Sequence, residues 1–512
     1  MTTPVNLSVV IIKGILKAGL NRCSMAHNKV MTLHNKVMTL VVVSITICCF
    51  FNLLCAEEAR GVSHLERNSA IARLKRMEAS IKAVQSGRTQ TRLGGAVAPV
   101  IRLPKTHVVN IGIGTPPKNF QGQVDTGSDL IWLQCDLFNR SNWYYPPPFY
   151  PEHSSTYRRV PCSSSLCSAL ANSTCASDCQ YSHIYSESWS TQEELSFETF
   201  TMADTTGAAH FFGGIAFGCS HVVQEDVLEE ANGVLGLGRG QLSLISQIGE
   251  SKFSYCLPFE YNGSPFQDTD SFSTPLLFGS AAEFNGIGVQ STMVINNTVL
   301  PKLNSYYYLS VEGISLGNVS LNISRGMFDI QANGSGGFII DSGIHFTVLP
   351  HAAFTAVASV LDSVLGLPRA NDSKHGLSVC YSSPYYDYVP DLNMTFHMLG
   401  ADYVVEGKHN FVQYMESGPT KIGNLLCLAM LDMDEASVAG VPAVLGSFQQ
   451  QDYHILYDNA NQRLSFTPTR CSSLSMSPNP SYLQSKAPIP ILGSHVLLPV
   501  LLLYFVAFSL TL

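Results

Sequence analysis

Two short stretches of this chain set an aspartate between an apolar strand and a small, glycine-bearing turn. The first is Gln123-Val124-Asp125-Thr126-Gly127-Ser128-Asp129, followed by Leu130-Ile131-Trp132. The second is Phe338-Ile339-Ile340-Asp341-Ser342-Gly343, followed by Phe346-Thr347-Val348-Leu349. Either alone is an ordinary turn, with glycine allowing backbone angles that other residues avoid. Together they supply two carboxylates that one fold can bring to a single point. Two carboxylates sharing a site do not both ionise readily: at ~3 Å and an effective dielectric of about 20 the repulsion is roughly 5 kcal/mol. One keeps a proton while the other stays charged. Such a pair activates water with one member and protonates a carbonyl with the other, needing neither metal nor covalent intermediate.

The elements that must hold these loops are strands. From residue 97 to 466 short apolar runs alternate with Gly, Ser, Asn and Pro clusters, as in His107-Val108-Val109-Asn110-Ile111-Gly112-Ile113 and around Tyr306, Leu309, Val311 and Ile314. Helical pattern is scarce; residues 352–365, opened by Pro350, are the best candidate.

The run from Asp125 to Cys135 reads Asp-Thr-Gly-Ser-Asp-x-x-Trp-x-Gln-Cys. In it the chain resembles the pepsin-like aspartic proteases, and more narrowly their plant nepenthesin-type subfamily. Asn232-Gly233-Val234-Leu235-Gly236-Leu237-Gly238 and Val444-Leu445-Gly446-Ser447 resemble the strands that pass beside each Asp loop in that family. Phe253-Ser254-Tyr255-Cys256-Leu257 and Gln449-Gln450-Gln451-Asp452-Tyr453 extend the likeness over residues 105–471. The resemblance implies an all-β, bilobal pepsin-like aspartic protease fold with the active-site cleft between two β-lobes. These are an N-terminal lobe with a Cys-rich insert (97–260) and a C-terminal lobe (261–471). It implies Asp125 and Asp341 as the catalytic pair and peptides or proteins as substrate. Ser128 is expected to donate to Asp125, with Thr126, Gly127, Ser342 and Gly343 bracing the loops, and Tyr185 and Trp132 in the flap and substrate-binding region.

Three departures from the family qualify that picture. The flap segment runs Cys179-Gln180-Tyr181, then Tyr185-Ser186-Glu187-Ser188-Trp189, with Glu198-Thr199-Phe200 where the hairpin is expected to return. Ser186, Ser188 and Glu193 stand where the family has glycine, so a stiffer or reshaped flap is expected, with Trp189 filling part of the cleft. In the second Asp loop Ile344 replaces a Thr that would donate to Asp341. A lost hydrogen bond to a charged group is worth roughly 1.5–3 kcal/mol, so Asp341 is expected to hold its proton more tightly, partly offset by neighbouring His345. Finally, two Cys usual just after the one matching Cys135 are missing. The alternative these departures raise is a weak or silent homologue that binds, or inhibits, another protein.

Ten cysteines follow residue 57, an even set that implies disulfides. The resemblance implies the pairs Cys380–Cys427 and Cys256–Cys471, and the spacing from Cys162 to Cys179 suggests a stapled loop. The 15 His show no metal-ligand spacing, so no metal and no cofactor is expected. With a net charge of -8 the chain offers nothing for nucleic acid, and it is expected to act as a monomer.

Both ends differ in texture from the middle. Residues 27–33 recur unchanged as 34–40, and an apolar run over 37–54 precedes a polar switch, which reads as a signal-peptide region, 1–56. An uncleaved signal anchor is the alternative. Over 57–96, Leu65, Ile71, Leu74, Met77, Ile81 and Val84 recur near helical spacing amid Arg and Lys. By resemblance this is a prosegment; a plain linker helix is the alternative. Beyond the signal region, nine Asn-x-Ser/Thr sequons point to a glycoprotein: Asn139, Asn172, Asn262, Asn296, Asn318, Asn322, Asn333, Asn371 and Asn393. Residues 472–488 form a Ser/Pro/Asn-rich linker, and 489–512 an apolar tail. Small residues, polar spacer and terminal apolar tail make a GPI-anchor signal, with a membrane helix as rival. The expected location is extracellular, at the cell surface, plasma membrane or wall.

Overall fold

The computed structural model describes residues 95–476, except 104–105, 136–146, 169, 171–172, 176, 187–188, 224–230, 260–272, 285–287, 371–375, 384–387, 418–421, 435–441 and 475. Over 183–192 only the backbone path enters the description. The signal and tail readings lie outside the described residues, as do the 260/261 lobe boundary and the sequons at Asn139, Asn172, Asn262 and Asn371. Of the prosegment reading only its last two residues are described, and Ala96 already opens the first strand; of the linker reading, residues 472–474 lie in the short 3-10 helix Cys471–Leu474 and Met476 bridges to Ser273.

Each Asp loop is held by the same three-strand device. In the N-terminal lobe, Lys118–Asp125 leads into the first loop and Trp132–Gln134 leads out. Gly233–Gly236 runs between them, parallel to residues 122–125 and antiparallel to Trp132 and Leu133. In the C-terminal lobe, Phe338–Ile340 leads into the second loop and Thr347–Leu349 leads out. Here Ala443–Leu445 runs parallel to the entering strand and pairs Val444 with Val348. Apart from the first half of Lys118–Asp125, these strands are buried almost throughout, and strands covered on both faces read as unbroken apolar runs. That is why both loops stood out as an Asp closing an apolar stretch.

The lobes share a floor. Ala96–Arg102 pairs with Thr274–Phe278, which pairs with Lys252–Cys256, which in turn pairs with Tyr453–Asp458 from the far end of the chain. Arg463–Pro468 and Gln290–Ile295 continue the sheet. Phe253 stacks on Tyr457 at a centroid separation of 4.6 Å, and Tyr255, Tyr307 and Tyr457 are fully buried around it. The predicted helix forms as His351–Leu365, with Pro350 at its N-cap and Gly366 closing it at φ 60.

All ten cysteines pair. Cys256–Cys471 and Cys380–Cys427 form as the resemblance implied. Cys135–Cys219 ties the strand after the first Asp loop to its neighbour, and Cys162–Cys175 with Cys167–Cys179 make the stapled loop.

Candidate active site

The two Asp loops meet face to face, and the closest fit is at their glycines. A Cβ added to Gly127 would lie 2.0 Å from Asp341 Oδ2, and one added to Gly343 would lie 2.3 Å from Asp125 Oδ1. Each carboxyl therefore rests on the other loop's glycine, where no side chain fits. Replacing either glycine by alanine should displace the opposite carboxyl by about 1 Å and lower turnover roughly a hundredfold. Assay of Gly127→Ala and Gly343→Ala beside their melting curves checks this. Undiminished turnover in a folded variant would contradict it.

Below the carboxyls the loops cross-link. Thr126 N donates to Ser342 Oγ at 3.1 Å and Ser342 N donates to Thr126 Oγ1 at 3.0 Å, so the grip is reciprocal. Ser342 Oγ also donates to the Val124 carbonyl at 2.8 Å. Gln123 Nε2 reaches across to the Gly343 carbonyl at 2.7 Å. Under the second loop, Gln450 Nε2 donates to the Asp341 and Leu445 carbonyls, and Tyr255 Oη donates to Gln450 Oε1 at 2.6 Å. The floor sheet thus anchors the Asp341 backbone through Gln450. Sequence reasoning used Gln450 and Tyr255 only as marks of resemblance, because nothing local connects residues 195 positions apart.

The two carboxyls are not equivalent. Asp125 accepts from the Gly127 amide at 2.8 Å and from the Ser128 hydroxyl. Asp341 accepts from the Gly343 amide at 2.7 Å, and Ile344 stands where a second hydroxyl would be. Asp341 is pushed well above the usual carboxylate range, first by burial and then by the charge of Asp125. The raised state was expected, but its main causes are burial and the facing carboxylate rather than the missing hydroxyl. His345 does not offset it. Burial and the charge of Arg102 hold its imidazole down at about 4, so it carries no charge near neutrality, and it packs against Phe346 and Phe448.

Other expected site residues fall differently. Trp132 is 0 % exposed in the strand leaving the first loop, paired to Gly218 and Val234. It lies in the interior of the lobe beside the first Asp loop. The cause is that Trp132–Gln134 is covered on both faces, which its sequence does not announce. Tyr185 lies in Cys179–Ser186, one arm of a hairpin, and its side chain is outside the described set. The returning arm is Trp189–Asp204, opening with Ser186 opposite Trp189, so the return comes well before Glu198. Two residues escaped the sequence reading. Half-buried Tyr306 has its phenol pushed up to about 12, first by burial and then by charges that include those of Asp341, Asp125 and Asp129. Asp129 Oδ1 accepts from the Gly240 amide at 2.7 Å and pins the first loop from outside. Tyr306 had served only as a strand marker.

A bilobal β fold whose lobes each present one glycine-seated carboxyl to the other defines the aspartic protease class. Residues 107–280 match the family model described as xylanase inhibitor N-terminal, and residues 306–468 the one described as xylanase inhibitor C-terminal. Aspartic proteinase nepenthesin-2 of Nepenthes gracilis is 34% identical over 408 residues, covering 79% of this chain and 85% of the relative. Nepenthesin-1 of the same organism is 32% identical over 418 residues, covering 80% and 85%. The chain belongs to the plant nepenthesin-type family of pepsin-like aspartic proteases, and its enzyme class is that of the aspartic-type endopeptidases. Among solved structures, edgp superposes with a TM-score of 0.57 at 21% identity, covering 77% of this chain and 99% of that one. Basic 7S globulin from soybean gives 0.55 at 19%, covering 75% and 99%. At such identities these two speak for the fold alone.

Proposed function

We propose that this chain is an exported endopeptidase that hydrolyses peptide bonds of protein substrates in acid, with Asp125 and Asp341 as its catalytic residues. The observation that carries the reading is the reciprocal seating of each carboxyl on the other loop's glycine. The raised Asp341 keeps the shared proton, which leaves Asp125 as the charged member. Asp125 takes a proton from a water held between the two as that water attacks the peptide carbonyl. Asp341 gives its proton to the carbonyl oxygen, and proton return to the amide nitrogen releases the two products. Acid favours the singly protonated pair on which every step depends. Tyr185 and Tyr306 are the candidates for aligning the substrate over it.

The test is cleavage of an acid-denatured protein by the full chain secreted from a eukaryotic host, with and without a statine-type mimic of the tetrahedral intermediate. Acid-dependent, inhibitable cleavage supports the reading; none from a correctly folded chain sinks it. A second reading, a binding protein that has given up turnover, is favoured by Ile344, which presents an apolar side chain, 37 % exposed, beside Asp341. The xylanase-inhibitor description of the matched family models fits that reading, with a glycan-degrading enzyme as partner.

Export and anchoring belong to the same proposal: 1–56 as the export signal, 57–96 as a prosegment over the cleft until acid releases it, 472–488 as linker and 489–512 as GPI signal. Release of the chain from expressing cells by a phosphatidylinositol-specific phospholipase would support the lipid anchor, and retention would favour a helix. Five of the sequon asparagines, Asn296, Asn318, Asn322, Asn333 and Asn393, are exposed, all in the C-terminal lobe. Enzymatic deglycosylation is expected to lower the apparent mass, in steps that Asn→Gln changes at these positions remove one by one. An unchanged mass would overturn it.

A further inference from the structure

Apart from the sheet that carries both Asp loops, the C-terminal lobe holds a small antiparallel sheet of its own. Its strands, in order across it, are Val319–Ser320, Val311–Leu316, Met394–Met398 and Ala401–Val405. Side chains alternate between its faces. Ile314, Leu316, Phe396 and Tyr403 are buried in the core, so Ser315, Thr395, His397 and Asp402 share the outer face. Three of these form a row. His397 Nδ1 lies 2.8 Å from Asp402 Oδ1, directly across the strand pair. His397 Nε2 lies 2.8 Å from Ser315 Oγ, one diagonal step the other way.

The chemistry of the three groups gives the row a direction. An ionised carboxylate only accepts, so Nδ1 carries the proton that is donated to Asp402. The neutral imidazole is then left with Nε2 as acceptor for the Ser315 hydroxyl. Hydroxyl, base and orienting carboxylate in this order are what activates a serine. On an ordinary solvated face a hydroxyl and an imidazole turn to water; here both ring nitrogens are taken by side chains. Asp402 is itself held in place. Its amide donates to Gln290 Oε1 at 2.8 Å, and its carbonyl accepts from Gln290 Nε2 at 3.0 Å. Beside the serine the face is open. Gly313 lies opposite His397 where the strand bulges, and a Cβ added to it would meet nothing within 4 Å.

We propose that Ser315 is a nucleophile for short acyl esters, with His397 as its general base and Asp402 as the residue that positions the imidazole. Ser315 Oγ attacks an ester carbonyl lying over Gly313 and bonds to the acyl carbon, while the hydroxyl proton passes to His397 Nε2. The bond to the alcohol breaks, and the alcohol departs with the proton from Nε2. Water then attacks the acyl-serine and gives a proton to Nε2. The carboxylic acid leaves, and Ser315 takes that proton back. The acyl group is short because the face around Ser315 is small and polar, with Ser320 across from it on one side and Thr395 on the other. The His397 and Asp402 side chains are 40% and 56% exposed, so water reaches the row and turnover is slow. A reagent that reacts once and stays bound is therefore the sharper probe.

The full secreted chain, held with the statine-type mimic so that the Asp pair is occupied, is treated at neutral pH with a fluorophosphonate. Such a reagent bonds its phosphorus to an activated serine oxygen and releases fluoride, the hydroxyl proton passing to the base and then to solvent. The adduct should map to Ser315 by peptide mass, and hydrolysis of p-nitrophenyl acetate should fall as the adduct forms. Ser315→Ala should remove both. His397→Gln should slow both about a hundredfold, the scale of a positioned base. Asp402→Asn should slow them less, and Asp402→Glu should recover part of the loss, which a merely structural carboxylate would not do. Ser320→Ala, the hydroxyl across the hairpin, should label as the parent does. Melting curves identify the folded variants. No adduct at Ser315 in the folded parent, or one that forms as fast in folded His397→Gln, would overturn the proposal. Peptide cleavage by Asp125 and Asp341 stands or falls separately.

Discussion

Asp341→Asn and Asp125→Asn are each expected to lower peptide hydrolysis by about 10⁴-fold at acid pH, the upper range for removing a positioned acid or base. The losses should be similar although the roles differ: one change removes the proton given to the carbonyl, the other the acceptor that takes a proton from water. The two changes should also flatten the dependence of stability on pH. Asp341 binds its proton more tightly folded than unfolded, through burial first and the Asp125 charge second. Its contribution to stability is therefore whole below the unfolded carboxyl value and is lost as pH rises towards the folded one. Asparagine at 341 removes that loss outright. At 125 it removes the facing charge, the second cause, and leaves burial in place. Melting curves should order the three proteins at neutral pH with Asp341→Asn falling least from its acid value, Asp125→Asn next and wild type most. Undiminished cleavage in either variant would remove that residue from the mechanism; a wild-type curve no steeper than Asp341→Asn would remove the account of its proton.

What was legible in the sequence was what the backbone must do close to the carboxyls. Asp125 and Asp341 each end a strand buried on both sides and are followed two residues on by a position that cannot have a side chain, and this pattern is local. The glycine-flanked strands Gly233–Gly236 and Ala443–Leu445 were legible for the same reason. Cys256–Cys471 was reached by resemblance; at a separation of 215 residues, spacing alone says nothing. Properties set by distant packing stayed hidden. The full burial of Trp132 is one, because a short apolar strand reads alike whether one face or both are covered. His345 looked able to support Asp341 until its burial beside Arg102 fixed it neutral. The early return of the hairpin at Trp189 escaped because the reading followed family spacing across a stretch where the glycines are gone.

Ile344→Thr is expected to raise turnover by about ten- to a hundredfold, the equivalent of one hydrogen bond to a charged group at roughly 1.5–3 kcal/mol. The argument rests on the unequal supports of the two carboxyls. Ser128 donates to Asp125 from one loop, and at the matching place in the other Ile344 has nothing to donate. As Asp341 gives up its proton in the transition state it becomes charged inside a buried site, and the hydroxyl brought in by Ile344→Thr would meet that charge as it forms. The gain should appear in kcat with KM little changed, because the stabilised species exists only during the reaction. Folding should be nearly indifferent, since the Ile344 side chain is more than a third exposed and its backbone carbonyl, which accepts from the Ser447 amide at 2.7 Å, is retained. The new donor also favours the charged form of Asp341, so the upper pH limit of activity should move down. Steady-state kinetics across pH on the two proteins separate the outcomes. A silent parent made active by threonine would identify a protease that lost turnover at one hydrogen bond and supports the binding reading, whereas equal kcat in both would mean that Asp341 already has the support it needs and that the asymmetry of the pair has no catalytic consequence.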